Sequence, residues 1–380
     1  RSRRRREEGA GTLMAGKSSA EREALERQNV ALMAVFERAG FDHIAPDIIQ
    51  PADIFLERSG EDIRARTFVF TDPSGAEMCL RPDLTVPACR YHLSHAASPA
   101  LERRYCYLGP AFRFPDELLS PQEFTQAGLE WFGAPQAVAA EARVLKLTIS
   151  ALEAAGLSRY RVSFGDLGLF SALLDDTEMP ERWRQRLRHH FWRPHAFRDL
   201  LQSFCAGRGA RRTSVSPLVD RVVDGLTAGG AMAVAGEEIE TRRIPLVGGR
   251  ELPEIAARLA DKAADRRETP LEPSKADTLN AYLAIAGEAS GIDTHFATIA
   301  GGARFQGARD YYAKRLFEME ELGLNPRRFH FAADFGRELE YYTGFTFQIE
   351  ADTPHGPVAV AGGGRYDNLL SDMGSPVAVP

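Results

Sequence analysis

The sequence contains no apolar run of the roughly 18 residues that a membrane-spanning helix requires. It contains only four cysteines in 380 residues, and none stands in CxxC spacing or in a Cys/His cluster that resembles a zinc site. These absences argue against an integral membrane protein, a disulfide-rich scaffold and a zinc domain. We therefore expect a cytoplasmic protein without metal or cofactor, with buried free thiols at Cys79, Cys89, Cys106 and Cys205.

A large excess of one charge is also missing, because the formal net charge is only -6. Proteins that hold long nucleic acids usually carry a broad basic face, so this balance weakly disfavours that class. The basic stretch at residues 1–6 is followed by no apolar segment, which argues against a secretory signal. We interpret residues 1–18 as a flexible N-terminal extension and Met14 as a natural start.

The hydrophobic pattern of the first half alternates between helical and strand periods. Helical periodicity is found at 19–39, 84–94 and 136–156. Strand alternation is found at 67–72, 77–81, 104–114 and 122–132. The first two strands flank a Pro-Ser-Gly turn and are predicted to form a hairpin, and the last two are predicted to pair antiparallel.

The second half changes character twice. Residues 175–325 are rich in helical patterns, and strands resume at 328–350, followed from residue 357 by a strand, a Gly-rich bend and a helix. Strands linked mainly by hairpins predict an α+β fold with an antiparallel sheet. We divide the chain into a main domain of residues 19–175 and 300–380 and a mainly helical insertion of residues 176–299. The basic run at 182–200 is either a solvated helix face or a surface for a polyanion or partner.

An aspartate and a threonine lie where a predicted strand gives way to a helix. Asp83 and Thr85 can both accept hydrogen bonds, which suits an ammonium group. Asp83 could equally cap the helix that follows. The motif alone leaves both roles open.

Alternation along the strand at 122–132 places Gln126, Gly128 and Glu130 on one face. Phe124 and Trp131 flank these residues. Burying a glutamate without a partner is costly, so this face is either solvated or binds a ligand.

Two further motifs lie near the C-terminal end. Residues 336–344 include Arg337, whose side chain can bind a carboxylate through two parallel hydrogen bonds. Tyr341 and Tyr342 are adjacent, so strand alternation would place at most one of them in the pocket of Arg337 unless the strand bulges there. The glycines at 362–364 either let the backbone approach a ligand closely or simply form a turn.

Together these motifs resemble those of class II aminoacyl-tRNA synthetases, specifically the histidyl-tRNA synthetase family. Pro46 and its surroundings are similar to the first class II motif, and residues 109–124 to the second. Residues 337–342 (RELEYY) and 363–367 (GGRYD) are similar to the two histidine-specific motifs. The resemblance implies an antiparallel sheet flanked by helices, with a histidine pocket formed by Asp83, Thr85, Arg113, Gln126, Glu130, Arg337, Leu339, Tyr341, Tyr342 and Tyr366.

The resemblance also implies a role for most of these side chains. Asp83, Thr85 and Gln126 would hold the α-ammonium group of histidine, and Arg337 would pair with its α-carboxylate. The remaining contacts would be made to the ring. The imidazole nitrogens would bind Glu130 and a tyrosine, Tyr342, between walls formed by Tyr341 and Tyr366.

The resemblance fails in the half of the site that would hold ATP. In the family, the arginine equivalent to Arg113 is followed by a glutamate and by a loop with further arginines. Here Pro115 takes the place of the glutamate, and the loop carries Asp116 and Glu117, which would repel a triphosphate. Asp83 is one methylene shorter than its family counterpart, and neither the third class II motif nor the anticodon-binding domain follows GGRYD. We therefore expect no catalytic residues.

A paralogous family, the regulatory subunits of ATP phosphoribosyltransferase, has the same losses. This resemblance implies a partner, the short catalytic subunit, with which such proteins carry out the first step of histidine biosynthesis. Histidine would then be a feedback inhibitor, and the chain a homodimer within a larger hetero-oligomer. A truncated or divergent histidyl-tRNA synthetase is one alternative and requires histidine-dependent ATP–pyrophosphate exchange. A tRNA-sensing module is another and requires salt-dependent RNA binding.

Overall fold

The structure is a computed structural model that describes residues 16–58, 63, 65–114, 122–206, 219–222, 228–242, 252–336 and 341–380. The chain divides into two compact units. The first runs to Leu173 and resumes at Tyr282–Pro380, and the second is Leu174–Ala281. Within the described ranges, no helix is both long enough and apolar enough to cross a membrane.

Helix α1 (Ser19–Arg38) confirms the predicted helix at 19–39. Ser18 and Glu21 form a capping box, in which the Ser18 hydroxyl accepts the Glu21 N–H at 3.3 Å and the Glu21 carboxylate accepts the Ser18 N–H at 2.7 Å. Gly40, with φ near +85°, then turns the chain into strand β1 (Asp42–His43). Of the predicted extension, residues 1–15 lie outside the described residues, and residue 18 is the N-cap of α1.

A small sheet follows, made of β2 (Ile49–Pro51), β3 (Val69–Thr71) and β4 (Glu77–Leu80), with α2 (Asp53–Arg58) after β2. β4 pairs antiparallel with both neighbours. The Asp72 carboxylate accepts the N–H groups of Ser74 and Ala76 at 2.8 and 2.9 Å and so forms the turn between β3 and β4. The predicted hairpin is confirmed.

Helix α3 (Thr85–His95) leads into a long antiparallel hairpin, β5 (Arg103–Phe112) and β6 (Glu123–Phe132). Both the helix and the pairing confirm the sequence-based expectation. β1 joins the other edge of β5 in parallel. Met33 and Phe36 of α1 pack around Cys106 and cover one face of this sheet. The β6 side chains on the opposite face of this sheet are therefore not covered by α1 and are available for a site.

Helix α4 (Ala137–Ala154) matches the helix predicted at 136–156. It buries Leu145 and Ile149 along its apolar side. Strand β7 (Tyr160–Asp166) follows and continues directly into α5 (Leu167–Asp176).

The second unit is helical where it is described, with α6 (Glu181–His190), α7 (Pro194–Cys205), α8 (Ala228–Arg242), α9 (Leu252–Arg267) and most of α10 (Pro273–Leu283). The basic run is ion-paired within this unit. Arg182 contacts Asp265 and Glu268 at 2.8 and 2.7 Å, and Arg186 contacts Asp265 at 2.5 Å. These pairs neutralise part of the basic face, which favours the solvated-face interpretation over a polyanion surface.

The first unit resumes with the elements that complete its second sheet. They are β8 (Ala286–Glu288), α11 (Asp293–Phe296), α12 (Ala303–Glu321), β9 (Phe329–Ala332), β10 (Phe345–Thr353), β11 (Gly356–Gly364) and α13 (Leu369–Asp372). The strand order is β11-β10-β7-β9-β8. The α+β fold is confirmed, and the mainly antiparallel sheets also contain two parallel pairs, β1–β5 and β7–β9.

The Gly-rich bend expected after residue 361 is wrong. Residues 362–364 form the end of β11 and pair with β10. A Cβ on Gly363 would lie 3.0 Å from the Phe347 ring, and one on Gly364 would lie 2.5 Å from the Phe345 carbonyl oxygen. These glycines therefore allow two strands to pack closely.

The structural units divide the chain at a different place from the proposed insertion at 176–299. The second unit ends at Ala281, and Tyr282 already packs edge-to-face on Phe305, with 5.8 Å between ring centroids. Phe296 packs in the same way on Phe331 of β9 at 5.4 Å. These aromatic contacts tie residues after 281 to the first unit, while the domain assignment itself stays a prediction.

Candidate functional site

Glu130 lies at the centre of a buried polar cluster on the face of β6 turned away from α1. Only 7% of the residue is exposed. Its Oε1 accepts the Tyr107 hydroxyl at 2.9 Å, and its Oε2 accepts the Tyr366 hydroxyl at 2.6 Å. Burial raises the pKa of Glu130 to about 7, although the hydrogen bonds from both tyrosines act in the opposite direction. The carboxyl group can therefore change charge near neutral pH.

The register of the β5–β6 hairpin creates the space for this cluster. Tyr107 stands opposite Gly128, where a Cβ would lie only 2.5 Å from the tyrosine hydroxyl. Because glycine has no side chain, it leaves room at this position for the Tyr107 phenol. The predicted face of Gln126, Gly128 and Glu130 is confirmed by these contacts. Glu130, however, is buried and hydrogen-bonded rather than solvated.

The N-terminal end of α3 approaches the same face. The Gln126 Oε1 accepts the Leu84 N–H at 3.1 Å, which joins β6 to the first turn of the helix. The Thr85 hydroxyl lies 3.5 Å from the Tyr107 hydroxyl. Thr85 and Glu130, two of the predicted site residues, thus share Tyr107 as a neighbour.

Asp83 is almost fully buried beside this cluster, at 2% exposure. Its Oδ1 accepts the Val86 N–H at 3.3 Å, so the capping role that the sequence left open is present in the first turn of α3. The charge of Asp83 adds to burial in raising the pKa of Glu130. Arg113 contacts the residue that precedes Asp83, because its Nε donates to the Pro82 carbonyl oxygen at 2.7 Å.

Tyrosine rings close one side of the cluster. Tyr341 and Tyr342 are both buried, with ring centroids 4.8 Å apart and planes tilted by 55°. Tyr341 also meets Tyr366 edge-to-face at 5.8 Å and 82°. Residues 341–343 do not belong to a strand, so alternation does not govern this pair. Because Arg337 lies outside the described residues, the expectation that only one tyrosine lies beside it stays a prediction.

A second buried polar cluster lies beside the first and contains arginines. Arg315 of α12 is 1% exposed and contacts Glu141 at 2.5 Å and Asp166 at 2.7 Å. The two carboxylates raise the pKa of Arg315, although burial alone would lower it. Arg365 donates to the Tyr311 hydroxyl at 2.7 Å. These side chains line a cavity of about 270 Å³.

Comparison with known proteins gives the family of this chain. The model of the histidyl-tRNA synthetase family matches residues 17–212 and 244–378. An ATP phosphoribosyltransferase regulatory subunit from Allorhizobium ampelinum is 32% identical over 355 residues, covering 92% of both chains. Another from Mesorhizobium japonicum is 36% identical over 341 residues, covering 88% of both chains.

The chain belongs to the family of ATP phosphoribosyltransferase regulatory subunits. Its role within that family is regulatory rather than catalytic.

Solved structures agree on the class II synthetase-like fold. A Bacillus halodurans protein described as an ATP phosphoribosyltransferase regulatory subunit/histidyl-tRNA synthetase superposes with a TM-score of 0.66 at 20% identity, covering 96% of this chain and 78% of that one. Histidyl-tRNA synthetase from Nostoc superposes with a TM-score of 0.59 at 13% identity, covering 96% and 72%. At these identities the likeness concerns the fold alone.

The regulatory-subunit fold brings most of the predicted pocket together. The described residues of that set are Asp83, Thr85, Arg113, Gln126, Glu130, Tyr341, Tyr342 and Tyr366. Arg337 and Leu339 lie outside the described residues, as does the acidic loop at 115–121. In the described part of the chain, no three His, Cys, Asp or Glu side chains are placed to hold a metal ion.

Sequence reasoning missed Tyr107 and Cys89. Tyr107 binds Glu130, and the Cys89 thiol lies 3.8 Å from the Tyr366 hydroxyl. Tyr107 could have been found from the hairpin register, since a glycine opposite a tyrosine marks a place where the larger ring leans over the smaller residue. Cys89 follows Thr85 by one helical turn and could have been found from that spacing.

Proposed function

We propose that this regulatory subunit binds free histidine around Glu130 and transmits its occupancy to a catalytic subunit of ATP phosphoribosyltransferase. The observation that carries the proposal is the buried Glu130 carboxylate, held between the Tyr107 and Tyr366 hydroxyls. Feedback inhibition would act on the first step of histidine biosynthesis. A coupling of about 1–3 kcal/mol between the two sites suffices for strong inhibition.

The charges of the pocket suit a cationic ligand group. Asp83 and Glu130 are both buried and act on one another electrostatically. The charge of an α-ammonium group near Asp83 and Thr85 would compensate this local excess of carboxylate. Such charge-assisted hydrogen bonds contribute about 1.5–3 kcal/mol each. Arg337 is the proposed partner of the ligand carboxylate.

The ring end of the pocket suits imidazole. Glu130 is the proposed acceptor for one imidazole N–H, and Tyr342 is the proposed partner of the other nitrogen. A site that pairs both ring nitrogens rejects isosteric rings that lack them, because its own polar groups would be left unpaired.

Titration of the purified chain with L-histidine by calorimetry tests the binding step. Reconstitution with a short catalytic subunit, assayed with and without histidine, tests the regulation. We expect Glu130→Ala to abolish inhibition while assembly is retained. Glu123→Ala, an exposed glutamate on the same strand, is the matched control and should be inhibited like the wild type. Wild-type protein that binds no histidine would contradict the proposal.

Histidine-dependent tRNA charging is the second candidate, favoured by the match to the histidyl-tRNA synthetase model. The sequence at 115–121 argues against it, because Pro115, Asp116 and Glu117 replace groups that a nucleotide requires. ATP–pyrophosphate exchange that depends on histidine would favour this candidate. We expect no such exchange.

The remaining proposals concern assembly and location. We propose that the chain forms a homodimer within a hetero-oligomer that contains the catalytic subunit, in the cytoplasm. Light scattering of the purified chain, alone and mixed with the catalytic subunit, measures both steps. A chain that stays monomeric in the mixture would contradict this assembly.

A further inference from the structure

Tyr107 occupies a position between the two ends of the proposed ligand pocket. Its hydroxyl is 2.9 Å from Oε1 of Glu130 and 3.5 Å from the hydroxyl of Thr85. Glu130 is proposed to bind the imidazole, and Thr85 the ammonium group. Tyr107 is therefore a described side chain that contacts one proposed ligand-binding residue from each end.

The orientation of this phenol is determined by its surroundings. Tyr107 is 3% exposed, and its ring lies over Gly128, where any Cβ would collide with it. Burial raises the pKa of Tyr107 well above its ordinary value, with the charge of Glu130 acting in the same direction. The hydroxyl therefore keeps its proton and remains a donor to the carboxylate.

Tyr107 and Tyr366 bind different oxygens of Glu130 and so determine the plane of the carboxylate. Thr85 is a further hydrogen-bond partner of the carboxylate, so about one of its four lone-pair directions remains for a ligand. Tyr366 belongs to a motif already assigned to the pocket, whereas Tyr107 does not.

We propose that Tyr107 is a positioning residue of the histidine pocket, whose hydroxyl aligns the Glu130 carboxylate for the imidazole N–H and fixes its distance from Thr85. The inference rests on the proposed histidine-binding function. It makes Tyr107 a determinant of selectivity for a polar ring over an apolar ring of the same shape.

The test compares Tyr107→Phe with the wild type by calorimetric titration at pH 6 to 9. The ligands are L-histidine and β-(2-thienyl)alanine, which has a ring of similar shape without the nitrogens. Tyr105→Phe is the matched control, because Tyr105 is buried on the same strand and its hydroxyl is hydrogen-bonded with Arg103. Melting temperatures of all three proteins check that they fold.

We expect Tyr107→Phe to bind histidine roughly 10- to 100-fold more weakly at pH 8, the effect of one hydrogen bond to a charged group. Binding of thienylalanine should change little, so the selectivity ratio should fall.

The pH profile gives a second readout. The titratable groups facing Glu130 are Asp83, Cys89, Tyr107 and Tyr366. Since the Tyr107 hydrogen bond favours the ionised carboxylate, its loss should move the onset of histidine binding to higher pH. Titration of the free ligand is common to both proteins and cancels in the comparison.

Tyr107→Phe with the affinity and pH profile of the wild type would overturn the inference. An equal loss of affinity for both ligands, or the same loss in Tyr105→Phe, would also overturn it, because either result indicates a general packing effect. Wild-type protein that fails to bind histidine would remove the proposed function, and this inference with it, before any variant is compared.

Discussion

The first unit contains two neighbouring polar clusters, and each stabilises its buried carboxylates in a different way. In one, Glu141 and Asp166 pair with Arg315 at 2.5 and 2.7 Å, and Glu141 also pairs with Arg365 at 3.4 Å. In the other, Glu130 is held by two neutral phenols, and burial raises its pKa to about 7. Matched charge stabilises a scaffold, whereas a carboxylate held only by neutral donors has electrostatic capacity left for a ligand.

The largest expected effect concerns the matched cluster. Arg315→Ala would leave Asp166 buried without this cation and Glu141 with the more distant Arg365, at 3.4 Å. We expect a loss of about 3–5 kcal/mol in the free energy of unfolding. Urea-induced unfolding measures it. Arg161→Ala breaks an exposed ion pair with Asp352 and should cost no more than about 1 kcal/mol. Equal losses in the two variants would contradict the distinction between buried and exposed pairs.

Replacing the carboxylate held by phenols, Glu130, should change stability in the opposite direction at high pH: the free energy of unfolding should rise. Unfolded glutamate ionises near pH 4.5, and folded Glu130 near pH 7. The stability that Glu130 contributes is therefore complete below about pH 4.5 and is lost as the pH rises through about 7. Glu130→Gln does not ionise, so at pH 8 we expect it to be more stable than the wild type by up to roughly 3 kcal/mol.

Unfolding of wild type, Glu130→Gln and the exposed control Glu123→Gln at pH 5 and pH 8 checks this expectation. A Glu130→Gln variant that is less stable than the wild type by the same amount at both pH values would show that the carboxyl does not titrate as described.

A smaller loss of stability is expected at Gly128, where the candidate site depends on the room left by a missing side chain rather than on charge. Gly128→Ala would force the Tyr107 ring to move, and overpacking of this kind costs about 1–3 kcal/mol. It should also weaken histidine binding, measured by calorimetry. Gly307→Ala is the control, since a Cβ there meets nothing within 4 Å and alanine favours a helix by about 0.5–1 kcal/mol. Similar behaviour of the two variants would remove the steric argument.

Much of the candidate site could be predicted because its residues lie in short local motifs. Gln126 and Glu130 share a strand face by simple alternation, and the structure places them as expected. Tyr107 could not be assigned in this way, because its role depends on the residue opposite it across the hairpin. The glycines at 362–364 were misread as a bend for the same reason, since their close contacts come from β10.

Asp83 illustrates a different limit. Sequence offered two roles, helix capping and ligand binding, and the structure places the side chain where one oxygen caps α3 while its charge acts on Glu130. A single residue type at a strand–helix junction suits both roles, so composition cannot separate them. Alternation could not place the tyrosines at 341 and 342, because they lie outside any strand.

Arg365, Tyr366 and Asp367 are consecutive, yet they serve different clusters. Tyr366 binds Glu130, while Arg365 binds Tyr311 and Asp367. Point substitutions here can alter one cluster at a time. Deletion of one residue before Tyr366 would instead direct the Asp367 carboxylate toward Glu130 and the phenol toward Glu141, and an insertion would direct the Arg365 guanidinium toward Glu130. Homologous sequences can therefore differ in residue type in this segment. The number of residues in the segment is constrained by both clusters at once.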